Sequence, residues 1–551
     1  MISLSETLAR LSGSNLNELR DPNHTGIHTL GEGVPDNRTS LEKKMNIGEW
    51  TTRWAKLDPK GPCLKYQDLE LNKFEFNQRI NRLANALQEM GVKKGDRVAA
   101  LMANSNVFLE ILFATSKLGV IMVPLNFRLA AAELDYIINN AEPVVLVYSP
   151  EFLAVINELD GKLPTVKHQI CELEGGDPSH IDFESWVADK SDAEPVPDSE
   201  VTLDDGQFIM YTSGTTGKPK GAVLTHGNTQ WNAVNSIHGY PMDKADIAIC
   251  CAPLFHIGAL AVSAIPNLYG GAKIIIQRMF DPIGVLTLIE ENKATSMFGI
   301  PVMFLFMSQM PDFEKTDFSS IRYLLAGGSP CPKPLIDVYL KKGVQFSQGY
   351  GMTETAPGVS ALKPEEALDK LGSCGKVLFH MAMKIVDLQG KEVQQGETGE
   401  ILVKGPNVIK EYWRRPEDTA NRIVDGWLYT GDMGYEDEEG YLYIMDRRKD
   451  MFISGGENVY PAEVEDVLMG LPQVADAGVI GIPDERWGES GMAILVKAPE
   501  TEVTEEEIIE LCKQRLAKYK VPKKIAFVDE LPRTLTGKIL KKDLRSQFGG
   551  I

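Results

Sequence analysis

Apolar residues at helical spacing alternate with short apolar runs from residue 76 onward. Between Phe76 and Met90 they recur three and four positions apart, and Gly91 stands where a helix C-cap belongs. The same reading predicts helices at 108–118 and 130–140, and strands at 97–102, 120–125 and 143–148. Helices that alternate with buried strands indicate an α/β protein with parallel sheets and helices on both faces.

This rhythm returns from Ile247 to about Gln348 and then changes twice. After Gly396, short strands with Gly- and Asp-rich turns predict a small β-rich subdomain that ends near Tyr443. Beyond the charged run at 446–450, the pattern predicts helices at 462–469 and 504–516 and strands at 474–481, 492–497 and 524–528. We therefore expect an N-terminal extension (1–45), a large domain (46–447) and a small mobile α+β domain (448–551).

Bulk composition restricts the class of protein. A chain of 551 residues is too long for a single hydrophobic core, so two or more domains are expected. A net charge of −20 argues against a nucleic-acid binder. The seven cysteines are scattered without C-x-x-C, and the N-terminus lacks a signal-peptide pattern, so we predict a cytoplasmic protein.

The apolar segment 247–276 contains Pro253, Pro266 and a Gly-Gly pair. It favours strand, loop, helix and strand over a membrane span, although a peripheral membrane contact stays open.

The segment Tyr211–Gly221 (YTSGTTGKPKG) carries the strongest chemical signal. It follows a strand-like run and combines three glycines, four hydroxyl-bearing residues besides its tyrosine, and two lysines. Glycines let backbone N–H groups converge on an anion, and lysine adds a charge suited to phosphate. A flexible linker could share this composition but would rarely contain both lysines and a flanking strand. Pro219 after Lys218 excludes the Walker pattern, so the segment is predicted to be another kind of phosphate loop.

Other short segments are weaker when taken singly. In Gly349–Glu354 a carboxylate follows a flexible Gly-x-Gly, which suits a Mg²⁺ ligand or merely a turn. Asp432 in Tyr-Thr-Gly-Asp suits a ribose diol, with an Asx-turn as the alternative. The loop 326–330 allows close approach but is no nucleophile elbow, and His256 fits a pocket or a core position equally well.

Taken together and in this order, these segments resemble the adenylate-forming superfamily of acyl- and aryl-CoA ligases, peptide-synthetase adenylation domains and luciferases. The resemblance spans about residues 50–545, and Lys449–Val464 is most similar to AMP-forming fatty acyl-CoA synthetases. It implies ATP, Mg²⁺ and coenzyme A as reactants. The implied phosphate contacts are Thr212, Ser213, Gly214, Thr215, Thr216, Gly217 and Lys220. The implied adenine and ribose contacts are Gly328, Ser329, Tyr350, Asp432 and Arg447.

The resemblance also implies the catalytic parts. Lys538, Thr353, Glu354 and His256 would be catalytic, with Glu354 on the metal, Lys449 as a hinge and Gly455 and Gly456 along the CoA path. The acyl pocket would be lined by His256, Gly258, Gly327, Gly349, Gly351 and Met352. No charge there suits an α-amino group, so we expect a medium- to long-chain alkyl acid, with an aryl acid as the alternative.

Some alternatives stay open at this point. A stand-alone adenylation enzyme would load a separate carrier protein, a luciferase-like oxygenase would share the nucleotide motifs, and a non-catalytic nucleotide binder would dispense with Glu354 and Lys538. The acid itself, the reaction direction and a monomeric or homodimeric state are not determined by the sequence.

Overall fold

The structure is a computed structural model. It describes residues 46–212, 219–328, 331–387, 389–447, 450–454, 457–484, 487–499, 501–533 and 539–549. At positions 446, 447 and 458 it describes the backbone alone. The predicted extension 1–45 and most of the phosphate loop (213–218) lie outside the described residues.

The helices and strands are numbered in chain order. The helices are α1 (Glu49–Leu57), α2 (Lys73–Glu89), α3 (Asn106–Leu118), α4 (Ala131–Ala141), α5 (Leu153–Glu158), α6 (Phe183–Ala188), α7 (His226–Gly239), α8 (Ile265–Gly270), α9 (Pro282–Asn292), α10 (Pro301–Ser308), α11 (Lys333–Leu340), α12 (Pro416–Arg422), α13 (Pro461–Met469), α14 (Glu505–Lys513) and α15 (Lys541–Phe548).

The strands are β1 (Pro62–Tyr66), β2 (Leu69–Asn72), β3 (Arg97–Leu101), β4 (Ile121–Pro124), β5 (Val145–Tyr148), β6 (His168–Cys171), β7 (Ile181–Asp182), β8 (Gly206–Thr212), β9 (Lys220–Thr225), β10 (Ile247–Cys250), β11 (Lys273–Ile276), β12 (Ser296–Gly299), β13 (Tyr323–Ala326), β14 (Phe346–Gly351), β15 (Gly358–Leu362), β16 (Lys376–Val377), β17 (Ala382–Val386), β18 (Gly399–Lys404), β19 (Glu411–Tyr412), β20 (Ile423–Val424), β21 (Trp427–Glu436), β22 (Leu442–Arg447), β23 (Phe452–Ser454), β24 (Glu457–Val459), β25 (Val474–Asp484), β26 (Gly488–Lys497) and β27 (Lys524–Phe527).

Two mostly parallel sheets form the large domain, and the α/β expectation is confirmed. One has nine strands in the order β16-β15-β14-β13-β12-β10-β11-β1-β2, and the other has eight in the order β19-β9-β8-β4-β3-β5-β6-β7. Pairing is parallel in the centre of each sheet. In the nine-stranded sheet the antiparallel pairs are β14–β15, β15–β16 and β1–β2. In the eight-stranded sheet they are β8–β9 and β9–β19. The β1–β2, β8–β9 and β14–β15 pairs are antiparallel because their connections are too short to hold a crossover helix. Strand β19 instead reaches β9 from a distant part of the chain.

Local sequence signals account for the helix ends of the first βα units. Asn72 caps α2 in a reciprocal arrangement with Glu75, in which each side chain accepts a backbone N–H at 2.9 Å. Ser105 caps α3, and Gly119 ends it with φ of +69°. Because every residue of α3 is buried, the helix lies within the core rather than on its surface.

A third sheet forms the predicted β-rich subdomain but begins earlier than expected. Its order is β17-β18-β21-β20, with β22 paired to β21. The sequence reading placed the start after Gly396, yet that glycine follows β17, which pairs antiparallel with β18. The turn was therefore mistaken for the boundary, and the sheet extends to Arg447 rather than to Tyr443.

The fourth sheet takes its strands only from residues after Asp450, within the described part of the chain. Its order is β24-β23-β26-β25, and β27 joins β26 in parallel. The predicted elements of this region are present, with α14 ending at Lys513 rather than 516. The β23–β24 pair and α15 were missed, because three-residue strands and a strongly polar eight-residue helix have little apolar periodicity.

The apolar segment 247–276 folds as predicted from its prolines and glycines. It comprises β10, a π-helical turn (Ala259–Ala264), α8 and β11. None of the helices that the structure describes is long and apolar enough to cross a membrane.

Candidate active site

The strands that flank the phosphate loop form an antiparallel hairpin. Thr212, the last residue of β8, lies opposite Lys220, the first residue of β9. Of the predicted phosphate contacts, these two are described, whereas Ser213, Gly214, Thr215, Thr216 and Gly217 lie outside the described residues. The predicted flanking strand is thus present, and the hairpin holds the two ends of the loop together.

Lys220 is held by two side chains that sequence reasoning did not select. Its ammonium forms an ion pair with Asp418 of α12, with Nζ and Oδ1 2.5 Å apart, and lies 5.8 Å from the ring centre of Tyr412. Lys220 has a side-chain exposure of 15%. The charge is therefore positioned beside the loop by a partner from another part of the chain rather than extended into solvent.

Tyr412 connects Lys220 to the predicted metal carboxylate. Its hydroxyl donates a hydrogen bond of 2.8 Å to Oε1 of Glu354, and the backbone carbonyl of Glu354 accepts from Ile409 N at 2.9 Å. Burial, and secondly the Glu354 charge, raise the pKa of Tyr412, so this phenol stays protonated as a donor.

The surroundings of Glu354 fit a magnesium ion. Its carboxylate is almost fully buried and held at one oxygen, and the hydroxyl-bearing Thr353 precedes it in a 3₁₀ turn (Thr353–Thr355). Mg²⁺ prefers one or two carboxylates together with phosphate oxygens and water. A single fixed carboxylate beside the phosphate hairpin provides that donor set.

Tyr350 and Asp432 meet between two sheets. The Tyr350 hydroxyl donates a 2.6 Å hydrogen bond to Oδ2 of Asp432, which is 4% exposed. Asp432 N donates to Oγ1 of Thr430, which in turn donates to the Ile401 carbonyl. The predicted adenine residue on β14 thereby orients the predicted ribose carboxylate on β21.

Two further nucleotide residues have defined backbone positions. Arg447 lies directly opposite Asp432 in the antiparallel β21–β22 pair, so the structure brings these two predicted ribose residues together. Gly328 follows β13 in an exposed position with φ of +83°, a conformation that L side chains rarely adopt. Ser329 lies outside the described residues.

Two of the four predicted acyl-pocket glycines, Gly258 and Gly327, face the ring of Phe298. A Cβ built on Gly258 would lie 3.1 Å from Cζ of Phe298, and one on Gly327 would lie 2.9 Å from Cε2. Phe298, at the end of β12, was not selected from the sequence. It forms a common wall between the two glycines.

The glycines of β14 are required by close contacts. A Cβ on Gly349 would lie 2.1 Å from Oη of the buried Tyr240, and one on Gly351 would lie 1.7 Å from the Pro357 carbonyl oxygen. Met352 N donates to that same carbonyl at 3.2 Å. Neither position can take a side chain without displacing its neighbours.

His256 is exposed, so the alternative of a core histidine is wrong. Its Nδ1 accepts a hydrogen bond from Gly258 N at 3.1 Å. The loop after β10 runs through Pro253-Leu-Phe-His256 and holds the imidazole at the surface beside Gly258. Its role at the acyl pocket stays a prediction.

Lys449, Gly455, Gly456 and Lys538 lie outside the described residues, so their predicted roles stay predictions. The segments next to them are described. Asp450 pairs with Arg545 of α15 at 2.6 Å, and Lys541 pairs with Glu465 of α13 at 3.1 Å. These pairs attach the C-terminal helix to both ends of the region that contains the predicted hinge and CoA path.

Comparison with known proteins identifies the family. Residues 51–413 match the AMP-binding enzyme family, and residues 463–538 match the AMP-binding enzyme C-terminal domain. The chain belongs to the AMP-binding enzyme family.

Individual relatives cover nearly the whole chain. It is 42% identical to a feruloyl-CoA synthase of an Amycolatopsis species, over 92% of this chain and 100% of the relative. It is 40% identical to the long-chain-fatty-acid–CoA ligase FadD13 of Mycobacterium tuberculosis, over 87% and 94%. Among solved structures, an anthranilate CoA ligase in complex with anthranoyl-AMP is similar with a TM-score of 0.84 and 28% identity, over 92% of this chain and 98% of that one.

These matches confirm the adenylate-forming superfamily and the expectation of an AMP-forming acid–thiol ligase that uses ATP, Mg²⁺ and coenzyme A. They do not distinguish a fatty acid from an aryl acid, since both kinds of ligase are among the relatives.

Proposed function

We propose that this AMP-binding enzyme activates an apolar carboxylic acid as an acyl-adenylate and transfers the acyl group to coenzyme A. One observation carries the proposal: a single segment, 349–354, contains residues proposed for the acyl, nucleotide and metal positions. Gly349 packs against Tyr240, Tyr350 binds Asp432, and Glu354 binds Tyr412. In the proposal, these six residues would set the spacing between acid, nucleotide and metal.

The chemistry follows from the acid. A thiol cannot displace oxide from a carboxylate, so a better leaving group is needed. In the first step a carboxylate oxygen attacks the α-phosphorus of ATP and pyrophosphate leaves. In the second step the CoA sulfur attacks the acyl carbon and the bond between that carbon and the bridging oxygen breaks. AMP leaves with the bridging oxygen, which came from the carboxylate, and the thiol proton passes to solvent.

The residues of this chain would bind and orient ATP and neutralise the charge of its phosphates. Lys220 and the loop before it would hold the departing pyrophosphate, and Tyr350 and Asp432 would hold adenosine. Glu354 would hold Mg²⁺, which when bound would supply positive charge to the phosphates. We further propose that Lys538 offsets the charge at the α-phosphate, an interaction of a kind worth about 3–4 kcal/mol in other enzymes.

The division into domains 46–447 and 448–551 serves this cycle in the proposal. The C-terminal domain would rotate about Lys449, withdraw Lys538 and present Gly455 and Gly456 to the pantetheine arm. Hinges are typically a few residues at the end of an element, and Lys449 lies within the charged run 446–450, two positions after the last residue of β22.

The structure bears on the acid class through Phe298. The sequence reading preferred a medium- to long-chain alkyl acid, with aryl acids second. Because Phe298 lies against both Gly258 and Gly327, one wall of the proposed pocket would be a flat aromatic ring. Such a wall favours a flat aryl acid, and the similarity to a feruloyl-CoA synthase supports that class, whereas the similarity to FadD13 supports the alkyl one.

The test is a screen for CoA- and ATP-dependent release of AMP across alkanoic, aryl and dicarboxylic acids. We expect AMP and the matching CoA thioester in equal amounts with at least one acid. A screen in which no acid yields a thioester would overturn the proposal. Acid-dependent ATP–pyrophosphate exchange without a CoA thioester would instead point to the carrier-loading alternative. The cytoplasmic location stays a prediction.

A further inference from the structure

A small buried cavity lies behind Phe298, between β12, β13, the π-helical turn and α8. Its walls include Val262, Ser263, Asn267, Phe298 and Leu325, and it has room for about one water-sized group. Phe298 also contacts Gly258 and Gly327. The same ring therefore forms a wall of both the proposed acyl pocket and the cavity.

Asn267 gives this cavity a hydrogen-bond acceptor. The residue is 3% exposed, its Nδ2 donates to the Ser263 carbonyl at 2.8 Å, and its backbone carbonyl accepts from Ala272 N at 2.9 Å. Among the described residues its Oδ1 has no hydrogen-bond partner. Exchanging the amide N and O would place two oxygens against each other at Ser263, so the orientation is fixed.

The hydroxyl groups of Ser263 and Tyr323, which line the same cavity, do not donate a hydrogen bond to Oδ1 of Asn267. The Ser263 hydroxyl is 3.8 Å from the thiol of Cys250. The Tyr323 hydroxyl bonds Ser296, and burial raises the pKa of this phenol, so it stays protonated. A buried amide oxygen left unpaired is unfavourable, and a donor that reaches it is correspondingly favoured.

We propose that the distal end of the acid enters this cavity and donates a hydrogen bond to Oδ1 of Asn267, which makes hydroxyaryl acids the preferred substrates. A phenolic hydroxyl is the size of the water that the cavity admits. The ring that carries it would pass along Phe298, where one flat ring lies well against another. The inference rests on the proposed function, since it assumes that the carboxylate is adenylated near Glu354.

The test compares kcat/KM, from AMP release, within matched sets of acids. Each set contains a 4-hydroxyaryl acid, its unsubstituted parent and its 4-methoxy ether, built on cinnamic, phenylpropanoic and benzoic acids. The ether has the oxygen but no donor. We expect the hydroxy acid of the set that fits to exceed both partners by about tenfold or more, because an unpaired buried acceptor penalises the analogues.

The variant Asn267→Leu removes the acceptor at similar volume. It should bring the hydroxy-to-parent ratio to within about threefold, because the hydroxy acid loses its acceptor and the parent acid no longer leaves a buried acceptor unpaired. The matched control is Gln207→Leu, which removes another fully buried amide oxygen without a described partner, on β8. It should leave the ratio unchanged.

Asn267→Ala replaces Asn267→Leu if the leucine variant does not fold. The ratio of kcat/KM for the hydroxy acid to that for its parent in the wild-type enzyme also tests the inference without any variant. A wild-type enzyme that shows no preference for the hydroxy acids, or an Asn267 variant that retains it, would overturn the inference while AMP release still supports the ligase. No AMP release with any acid would overturn the proposed function as well.

Discussion

The hydroxyl of Tyr350 lies 2.6 Å from Oδ2 of Asp432, and this hydrogen bond joins the nine-stranded sheet to the small β-rich sheet. The phenol donates to a carboxylate that is 4% exposed. Such a charge-assisted bond fixes the direction in which the remaining acceptor positions of the carboxylate point. It therefore couples the adenine side of the site to its ribose side.

Tyr350→Phe should weaken ATP binding while it keeps the ring for stacking on adenine. We expect the KM for ATP to rise about tenfold with the KM for the acid little changed, since a hydrogen bond to a charged group is lost. Tyr339→Phe is the control, because it removes a buried phenolic bond of similar length, 2.8 Å to the Phe304 carbonyl, away from Asp432. An equal rise in both variants would contradict the assignment.

Tyr412→Phe should raise the magnesium requirement. The variant keeps the ring near Lys220 but removes the donor that orients the Glu354 carboxylate. We expect half-saturating Mg²⁺ to increase about tenfold, as is common when a residue that orients a metal ligand is lost. Initial rates at fixed ATP over a range of Mg²⁺ measure it. Tyr435→Phe, whose ring stacks on Tyr443, should leave the Mg²⁺ curve unchanged.

His226 should make the folded state sensitive to acid. It is fully buried, its Nδ1 accepts from Ile47 N, and burial lowers its pKa to about 4 from the ordinary 6.5. The unfolded chain binds the proton first, so stability is complete above pH 6.5 and falls as pH drops towards 4. Between pH 7 and pH 5 the loss should be about 2 kcal/mol.

Urea unfolding at the two pH values measures this loss. In His226→Gln the His226 share of the pH dependence should disappear, whereas His238→Gln, at an exposed position, should keep it. A His226→Gln variant with the same pH dependence as the wild type would contradict the assignment.

Lys538→Ala should separate the two half-reactions. The lysine is proposed to act at the α-phosphate, so ATP–pyrophosphate exchange should fall by at least about a hundredfold. Thioester formation from a synthetic acyl-adenylate should stay within about threefold of wild type, since that step does not use the lysine. Equal losses in both assays would refute the division of labour between the two steps.

Strong periodicity made much of the fold predictable. The alternation from Phe76 to Tyr148 gave helices and strands within about two residues of those observed, because in this region local propensity, caps and burial agree. The start of the third sheet was misplaced, because β17 precedes the turn at Gly396 that was read as a boundary. Short polar elements such as β23 and α15 had no apolar pattern to follow.

The site was predictable where one segment carries a motif and not where distant segments meet. Glu354, Asp432 and Lys220 stand in recognisable local patterns. Their partners Tyr412 and Asp418 belong to a two-residue strand and a short helix, and only sheet pairing of β19 with β9 brings them to the loop. The glycines of the proposed acyl pocket were implied by the family resemblance, whereas Phe298 is an ordinary strand residue until the fold places it against Gly258 and Gly327.

The central claim is that an acyl-adenylate forms, and the fate of a carboxylate oxygen tests it most directly. The acid is labelled with ¹⁸O at both carboxylate oxygens and is converted with ATP, Mg²⁺ and coenzyme A. Mass spectrometry then measures the ¹⁸O content of the products AMP and pyrophosphate. Attack on the α-phosphorus predicts one ¹⁸O atom in each AMP and none in pyrophosphate. Unlabelled AMP, or label in pyrophosphate or inorganic phosphate, would contradict it.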